Sequence, residues 1–183
     1  MMYNEQPIIQ RIDRAKAFAY AAHTGIGQKR KYTGEPYYAH CKAVADIVRS
    51  VENHTTEMII TAYLHDVVED THLELDDLYQ FFGEGITKNV AFLTETSKEE
   101  RPDLNRAQRK TLDAYRLVQA SWEVQTVKYA DIIHNLSTIY RDDPAFAEVY
   151  GKEKMNTLMI ARYGDPKIRH YALKRIEEKR GLL

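Results

Sequence analysis

Ile60-Thr61-Ala62-Tyr63-Leu64-His65-Asp66-Val67-Val68-Glu69-Asp70 carries two patterns at once. At about 100° per residue, Ile60, Tyr63, Leu64, Val67 and Val68 share one arc of a helix. His65, Asp66, Glu69 and Asp70 fall on the other. The apolar arc predicts a helix packed in a protein interior. The acidic arc directs one imidazole and three carboxylates toward a small volume. Carboxylates gathered in this way repel one another and take up protons unless a cation compensates them, and a divalent metal is the natural counter-charge.

Helical periodicity extends outward from this stretch in both directions. Five prolines, Pro7, Pro36, Pro102, Pro144 and Pro166, sit in the gaps between periodic segments, where they end or start helices. Between these marks the chain reads as helices over 8–23, 37–51, 55–70, 75–82, 84–94, 104–119, 122–140, 144–162 and 166–179. No run of strand alternation remains, so the expected fold class is all-α, a compact single-domain helical bundle. Two segments break the pattern, Thr24 to Glu35 with its basic run Lys29-Arg30-Lys31, and Thr94 to Asp103. Both read as solvated connections. Beyond Tyr140 the apolar positions Tyr150, Met155, Leu158, Met159, Tyr163, Ile168, Tyr171, Leu173 and Ile176 predict packing helices without chemistry.

Composition narrows the function classes. The 183 residues, 44% hydrophobic, suit one ordinary domain with a sizeable core. With 26 basic and 27 acidic side chains the net charge is -1, which argues against a nucleic-acid-coating protein. A basic face through Arg101, Arg106, Arg109 and Lys110 is interrupted by Glu99, Glu100, Asp103 and Asp113. No apolar run reaches the roughly 20 residues of a membrane span, and Met1-Met2-Tyr3-Asn4-Glu5 does not resemble a signal peptide. The lone cysteine, Cys41, reads as a small buried filler. These features predict a cytoplasmic protein without nucleic-acid or membrane partners.

The segment Trp122 to Tyr140 repeats the two-faced design. Ile132, Ile133, Leu136, Ile139 and Tyr140 form one side, and Lys128, Asp131, Asn135 and Thr138 the other. Polar groups at this spacing in an apolar segment are expected to line a pocket, because burial without partners costs on the order of a few kcal/mol each. His40 follows Pro36-Tyr37-Tyr38 at a helix start. His40, His65, Asp66 and Asp131 together offer two imidazole nitrogens and two carboxylate oxygens, leaving positions open on a metal such as Mn²⁺ or Fe²⁺ that takes more than four ligands. Such an ion lowers the pKa of a water it binds, and Glu69 and Asp70 are spaced to accept or relay the proton. This is hydrolysis without a protein nucleophile. His23 and His134 are candidates for hydrogen bonds to the ligating groups, while His54, His72 and His170 read as surface or structural residues.

These pieces together resemble the HD superfamily, and more closely the hydrolase domain of RelA/SpoT-type alarmone enzymes and their stand-alone small relatives. The resemblance spans roughly residues 12 to 140. It rests on Ala22-His23-Thr24-Gly25, Lys29-Arg30-Lys31, Thr33-Gly34-Glu35-Pro36-Tyr37 leading to His40, Leu64 to Thr71, and Val127-Lys128-Tyr129-Ala130-Asp131-Ile132-Ile133-His134-Asn135. It implies an HD-type fold and a single Mn²⁺ held by His40, His65, Asp66 and Asp131, with Glu69 and Asp70 acting on water. The implied reaction removes the 3′-pyrophosphate of (p)ppGpp, giving GDP or GTP and pyrophosphate.

By the same resemblance Arg30 lies against the purine and Lys31 near phosphates, a division suited to a flat guanidinium and a point-like ammonium. Asn135 and Thr138 match positions that contact the nucleotide in the family, and Lys128, on the same polar stripe, is a further pocket candidate. The chain departs from the family at Cys41, where a proline is usual, and at Ser137, where an arginine is common. The second change falls in the nucleotide pocket and leaves room for another substrate: an adenine alarmone, a nucleoside phosphate or an NADPH-type phosphate. A non-catalytic nucleotide-binding module is a further alternative. The tyrosines at helix faces leave room for a homo-oligomeric contact.

Overall fold

The computed structural model describes residues 7–179, so the reading of Met1 to Glu5 lies outside the described residues. Among them the chain is all-α, and the β-type pairing is confined to one isolated bridge between Lys29 and Pro36. The chain divides into two units, Met1–Thr94 and Glu95–Leu183.

The first unit holds α1 (Ile8–Gly25), α2 (Tyr38–Arg49), α3 (Thr56–Leu64), α4 (Val67–Asp70) and α5 (Leu75–Leu93). Every residue of α3 from Met58 to Leu64 is buried, as expected of a helix apolar all round, and α1, α2 and α5 pack against it. Its first turn is closed by Thr55, whose Oγ1 accepts from the Met58 amide at 3.2 Å. On α1 the buried positions Ala15, Ala19 and His23 recur every fourth residue. Phe18 adds ring contacts to Phe81 and Phe82 at 5.2 and 5.1 Å.

The expected continuous helix over 55–70 does not form. It is interrupted at His65 and Asp66, where Asp66 takes φ -102° and ψ 0°, and resumes as the single turn α4. Asp66 stands at the N-cap of that turn, yet its carboxylate makes no capping bond and is turned to His40, His65 and Tyr37 instead. The interruption therefore follows from the demands of the cluster, which periodicity alone cannot register. By contrast, the expected division between 82 and 84 is present. Gly83 takes φ 77° and ψ 174°, a conformation essentially restricted to glycine, and kinks α5 there.

The second unit holds α6 (Ser97–Glu100), α7 (Arg106–Val118), α8 (Trp122–Asp142), α9 (Pro144–Ile160) and α10 (Pro166–Lys179). The single turn α6 falls within the segment expected to be a plain loop. Asn105 and Gln108 cap α7 reciprocally, each side chain accepting from the other's amide at 3.0 Å. Asp143 caps α9 just ahead of Pro144, whose missing N–H costs nothing at a helix start.

Polar residues of α8 hold the connection between α9 and α10. The Tyr129 hydroxyl donates to the Ala161 carbonyl at 2.6 Å, and Thr126 Oγ1 accepts from the Asp165 amide at 2.8 Å. Gln125 Oε1 accepts from the Tyr163 amide at 2.9 Å. Gly164 lies so close to this face that a Cβ would stand 2.8 Å from the Thr126 nitrogen and press on the Tyr129 ring. Gly164→Ala is therefore expected to destabilise the protein by about 1–3 kcal/mol, the usual cost of overpacking, read as a lowered denaturation midpoint at unchanged slope.

The expected packing positions of the last two helices hold at Tyr150, Leu158, Ile168 and Ile176, which are buried, but Met159, Tyr163 and Tyr171 are exposed. On α9 their place is partly taken by Lys154 and Thr157, which are buried. Periodicity counted apolar residues and had no means of recognising a buried lysine.

Candidate metal centre

α2 and the break after α3 bring His40, His65 and Asp66 together. His65 Nδ1 lies 2.8 Å from the Ala62 carbonyl oxygen, an acceptor only, so Nδ1 carries the proton and Nε2 presents a lone pair. That lone pair meets His40 Nε2 at 3.2 Å and Asp66 Oδ2 at 3.0 Å, while His40 Nε2 is 3.3 Å from the same oxygen. Both imidazoles are buried. Burial by itself raises the Asp66 carboxyl, but positive charge placed at the His65 and His40 nitrogens outweighs it and holds the group well below the usual carboxylate range. Two nitrogens and an oxygen thus converge on one point in a water-poor setting, a donor set that fits a divalent cation.

The surroundings order the cluster. The Tyr37 hydroxyl donates to Asp66 Oδ2 at 2.7 Å. Gln28 Nε2 donates to Asp70 Oδ2 at 2.9 Å, and Gln28 Oε1 lies 2.6 Å from His23 Nδ1. Burial, and then the charge of Asp66, push the Asp70 carboxyl up, against the hydrogen bond from Gln28. Asp70 is half-buried and Glu69 exposed on α4. Cys41 is fully buried beside His40, and burial pushes its thiol well up, so it stays protonated.

The basic loop is held by backbone bonds from the Arg30 amide to the Glu35 carbonyl and from the Gly34 amide to the Arg30 carbonyl, at 2.8 and 3.0 Å. The Arg30 guanidinium lies 5.6 Å from the centre of the Tyr37 ring, and the exposed Lys31 ammonium 4.7 Å from that of Tyr32. Sequence reasoning gave no role to Gln28 or to the Tyr37 hydroxyl. Neither residue has a spacing that marks it, since both act across the chain.

In the second unit α8 assembles the expected polar stripe. Asp131 is buried, with Lys128 Nζ 3.0 Å from Oδ2 and Asn135 Nδ2 donating to Oδ1 at 2.6 Å. Thr138 is also buried, and its hydroxyl donates to the Asn135 carbonyl at 3.2 Å. Next to this stripe is a charged group that sequence reasoning missed. Glu95 pairs with Lys110, and Lys154 Nζ lies 3.8 Å from Glu95 Oε1 and 5.2 Å from the Tyr150 ring centre. Two cations of the interrupted basic face are engaged locally, Arg101 with Asp103 and Arg106 with Glu153.

Burial alone would raise the Glu95 carboxyl, but the ammonium groups of Lys128, Lys154 and Lys110 hold it at about 2, below its ordinary 4.5. A depressed folded-state pKa contributes stability that is present above 4.5 and lost as the pH falls toward 2. The contribution is on the order of 3 kcal/mol. Acid unfolding of the intact protein should steepen across that window. Glu95→Gln should flatten the stability curve there and lower stability at neutral pH.

A protein-family model described as an HD domain matches residues 15–157. The chain belongs to the HD-domain family. An HD domain implies a divalent metal, which the donor set of His40, His65 and Asp66 fits. Similar relatives include a probable guanosine-3′,5′-bis(diphosphate) 3′-pyrophosphohydrolase of Synechocystis sp., 36% identical over 70% of this chain and 16% of its own length. Another is the bifunctional (p)ppGpp synthase/hydrolase SpoT of Escherichia coli, 31% identical over 75% of this chain and 19% of its own length. The HD-domain chain thus spans about a fifth or less of those relatives. Its fold matches a solved structure of a metazoan ortholog of SpoT that hydrolyzes ppGpp and plays a role in starvation responses. The TM-score is 0.78, with 24% identity, 94% of this chain and 96% of that one. Among the described residues no helix is long and apolar enough to cross a membrane.

Proposed function

We propose that this HD-domain protein is a (p)ppGpp 3′-pyrophosphohydrolase that uses one Mn²⁺ ion and yields GDP or GTP and pyrophosphate in the cytoplasm, its two units serving one hydrolase domain. The observation that carries the hydrolytic reading is the convergence of His40 Nε2, His65 Nε2 and Asp66 Oδ2 within 3.3 Å. The substrate follows the names of the relatives.

His40, His65 and Asp66 would hold the ion, and Asp131 is the fourth ligand that the motif resemblance assigns; within its own unit Asp131 meets Lys128 and Asn135. Bound there, a divalent ion supplies Lewis acidity toward a phosphate oxygen and lowers the pKa of water. The residues do the rest. Asp70 and Glu69 orient the attacking water and take its proton. The water oxygen bonds to the phosphorus that carries the 3′ oxygen, the P–O3′ bond breaks, and the leaving oxygen regains a proton. Arg30 stacks on the purine and Lys31 neutralises phosphate charge. Lys128, Asn135 and Thr138 complete the substrate contacts.

A change of substrate is the second reading, favoured by Ser137 at a position where the resembled enzymes commonly carry arginine. The test is a panel of ppGpp, ppApp, nucleoside triphosphates and NADPH incubated in parallel with Mn²⁺-loaded protein, products being separated by ion exchange. GDP and pyrophosphate released from ppGpp at the highest kcat/KM of the panel is the expected result. Preferential cleavage of another nucleotide would keep the chemistry and discard the substrate.

A further inference from the structure

Between α1 and Asp70 runs a short hydrogen-bonded chain that the scheme above does not use. His23, 1% exposed, approaches Gln28 Oε1 through Nδ1 at 2.6 Å, and Gln28 Nε2 reaches Asp70 Oδ2 at 2.9 Å. The Gln28 backbone is fixed on both sides, its amide donating to the His23 carbonyl at 3.0 Å and its carbonyl accepting from the Tyr37 amide at 3.1 Å. The rings of His23 and Tyr37 are 4.8 Å apart, and Tyr37 in turn donates to Asp66.

The polarity of this chain follows from elementary bonding. An ionised carboxylate only accepts, so Gln28 must turn its NH₂ toward Asp70 and its oxygen toward His23. That oxygen needs a donor, so His23 must carry its proton on Nδ1. Burial favours the neutral ring. Nε2 is left as a buried acceptor without a protein hydrogen-bond partner.

We propose that His23 and Gln28 are positioning residues that fix the rotamer of Asp70 for proton transfer from the attacking water. The inference rests on the role given to Asp70 above. Gln28→Leu should lower kcat about 10- to 100-fold, the usual effect of removing a supporting hydrogen bond at such a site, with KM and Mn²⁺ affinity unchanged. His23→Leu should do the same, and the double variant should be no worse than Gln28→Leu alone, since the two act as a unit. His23→Asn should restore most of kcat, because its Nδ2 sits as many bonds from Cβ as the imidazole Nδ1. In the metal-free intact protein, ¹⁵N spectra should show His23 neutral with the proton on Nδ1.

Kinetics are measured on whichever nucleotide of the panel the intact protein cleaves. Unchanged kcat in Gln28→Leu, equal losses in kcat and metal affinity, or a proton on His23 Nε2 would each overturn the positioning role while leaving the hydrolase reading in place. Failure of the intact protein to cleave any of the panel would instead sink that reading, and this one with it.

Discussion

Asp66→Ala is expected to abolish both metal binding and turnover while leaving the helices formed. The side chain lies outside the apolar core, and its Oδ2 is the oxygen on which His40, His65 and Tyr37 converge. Without it two imidazole nitrogens 3.2 Å apart retain their mutual orientation but lose the anionic donor that makes a divalent ion bind. An ion of this kind is worth several kcal/mol of transition-state stabilisation, so the rate should fall by more than ~10³-fold. Calorimetric titration with Mn²⁺ should show no binding near the concentrations that saturate the intact protein, and circular dichroism should be unaltered. Tight metal binding by Asp66→Ala would show that the centre lies elsewhere.

Asp70→Asn should give the second largest effect and a different signature. The amide keeps the volume of the side chain and a partner for Gln28, but it cannot take a proton. Loss of a general base lowers kcat about 10²- to 10⁴-fold, and metal affinity should stay close to that of the intact protein. Glu69→Gln should cost less, because Glu69 is exposed on α4 whereas Asp70 is half-buried and its carboxyl is pushed up by burial and by Asp66, which favours proton acceptance. Single-turnover measurements at saturating Mn²⁺ separate the two. A larger loss for Glu69→Gln would reverse the assignment of the principal base.

The helices were legible in the sequence because their cores are built from periodic apolar residues, Ala15 and Ala19 on α1 and Val44 and Val48 on α2 being clear cases. Gly83 was legible as a break because glycine alone tolerates that conformation. The break at Asp66 was not, since neither glycine nor proline marks it and its cause is a side-chain cluster assembled from distant segments. His40, His65 and Asp66 could be picked out from residue chemistry, and they do meet. Gln28, Tyr37, Glu95 and Lys154 could not. Each acts through one partner 15 to 59 positions away or more than one such partner, or by being buried against the habit of its residue type, and local spacing carries neither kind of information.

In the proposed reaction water attacks the phosphorus bearing the 3′ oxygen and releases pyrophosphate in one step. Hydrolysis of ppGpp by the Mn²⁺-loaded protein in ¹⁸O-labelled water, followed by mass spectrometry of both products, tests it directly. One ¹⁸O atom in pyrophosphate and none in GDP is the predicted result. Label in the nucleotide, or inorganic phosphate released in place of pyrophosphate, would contradict it.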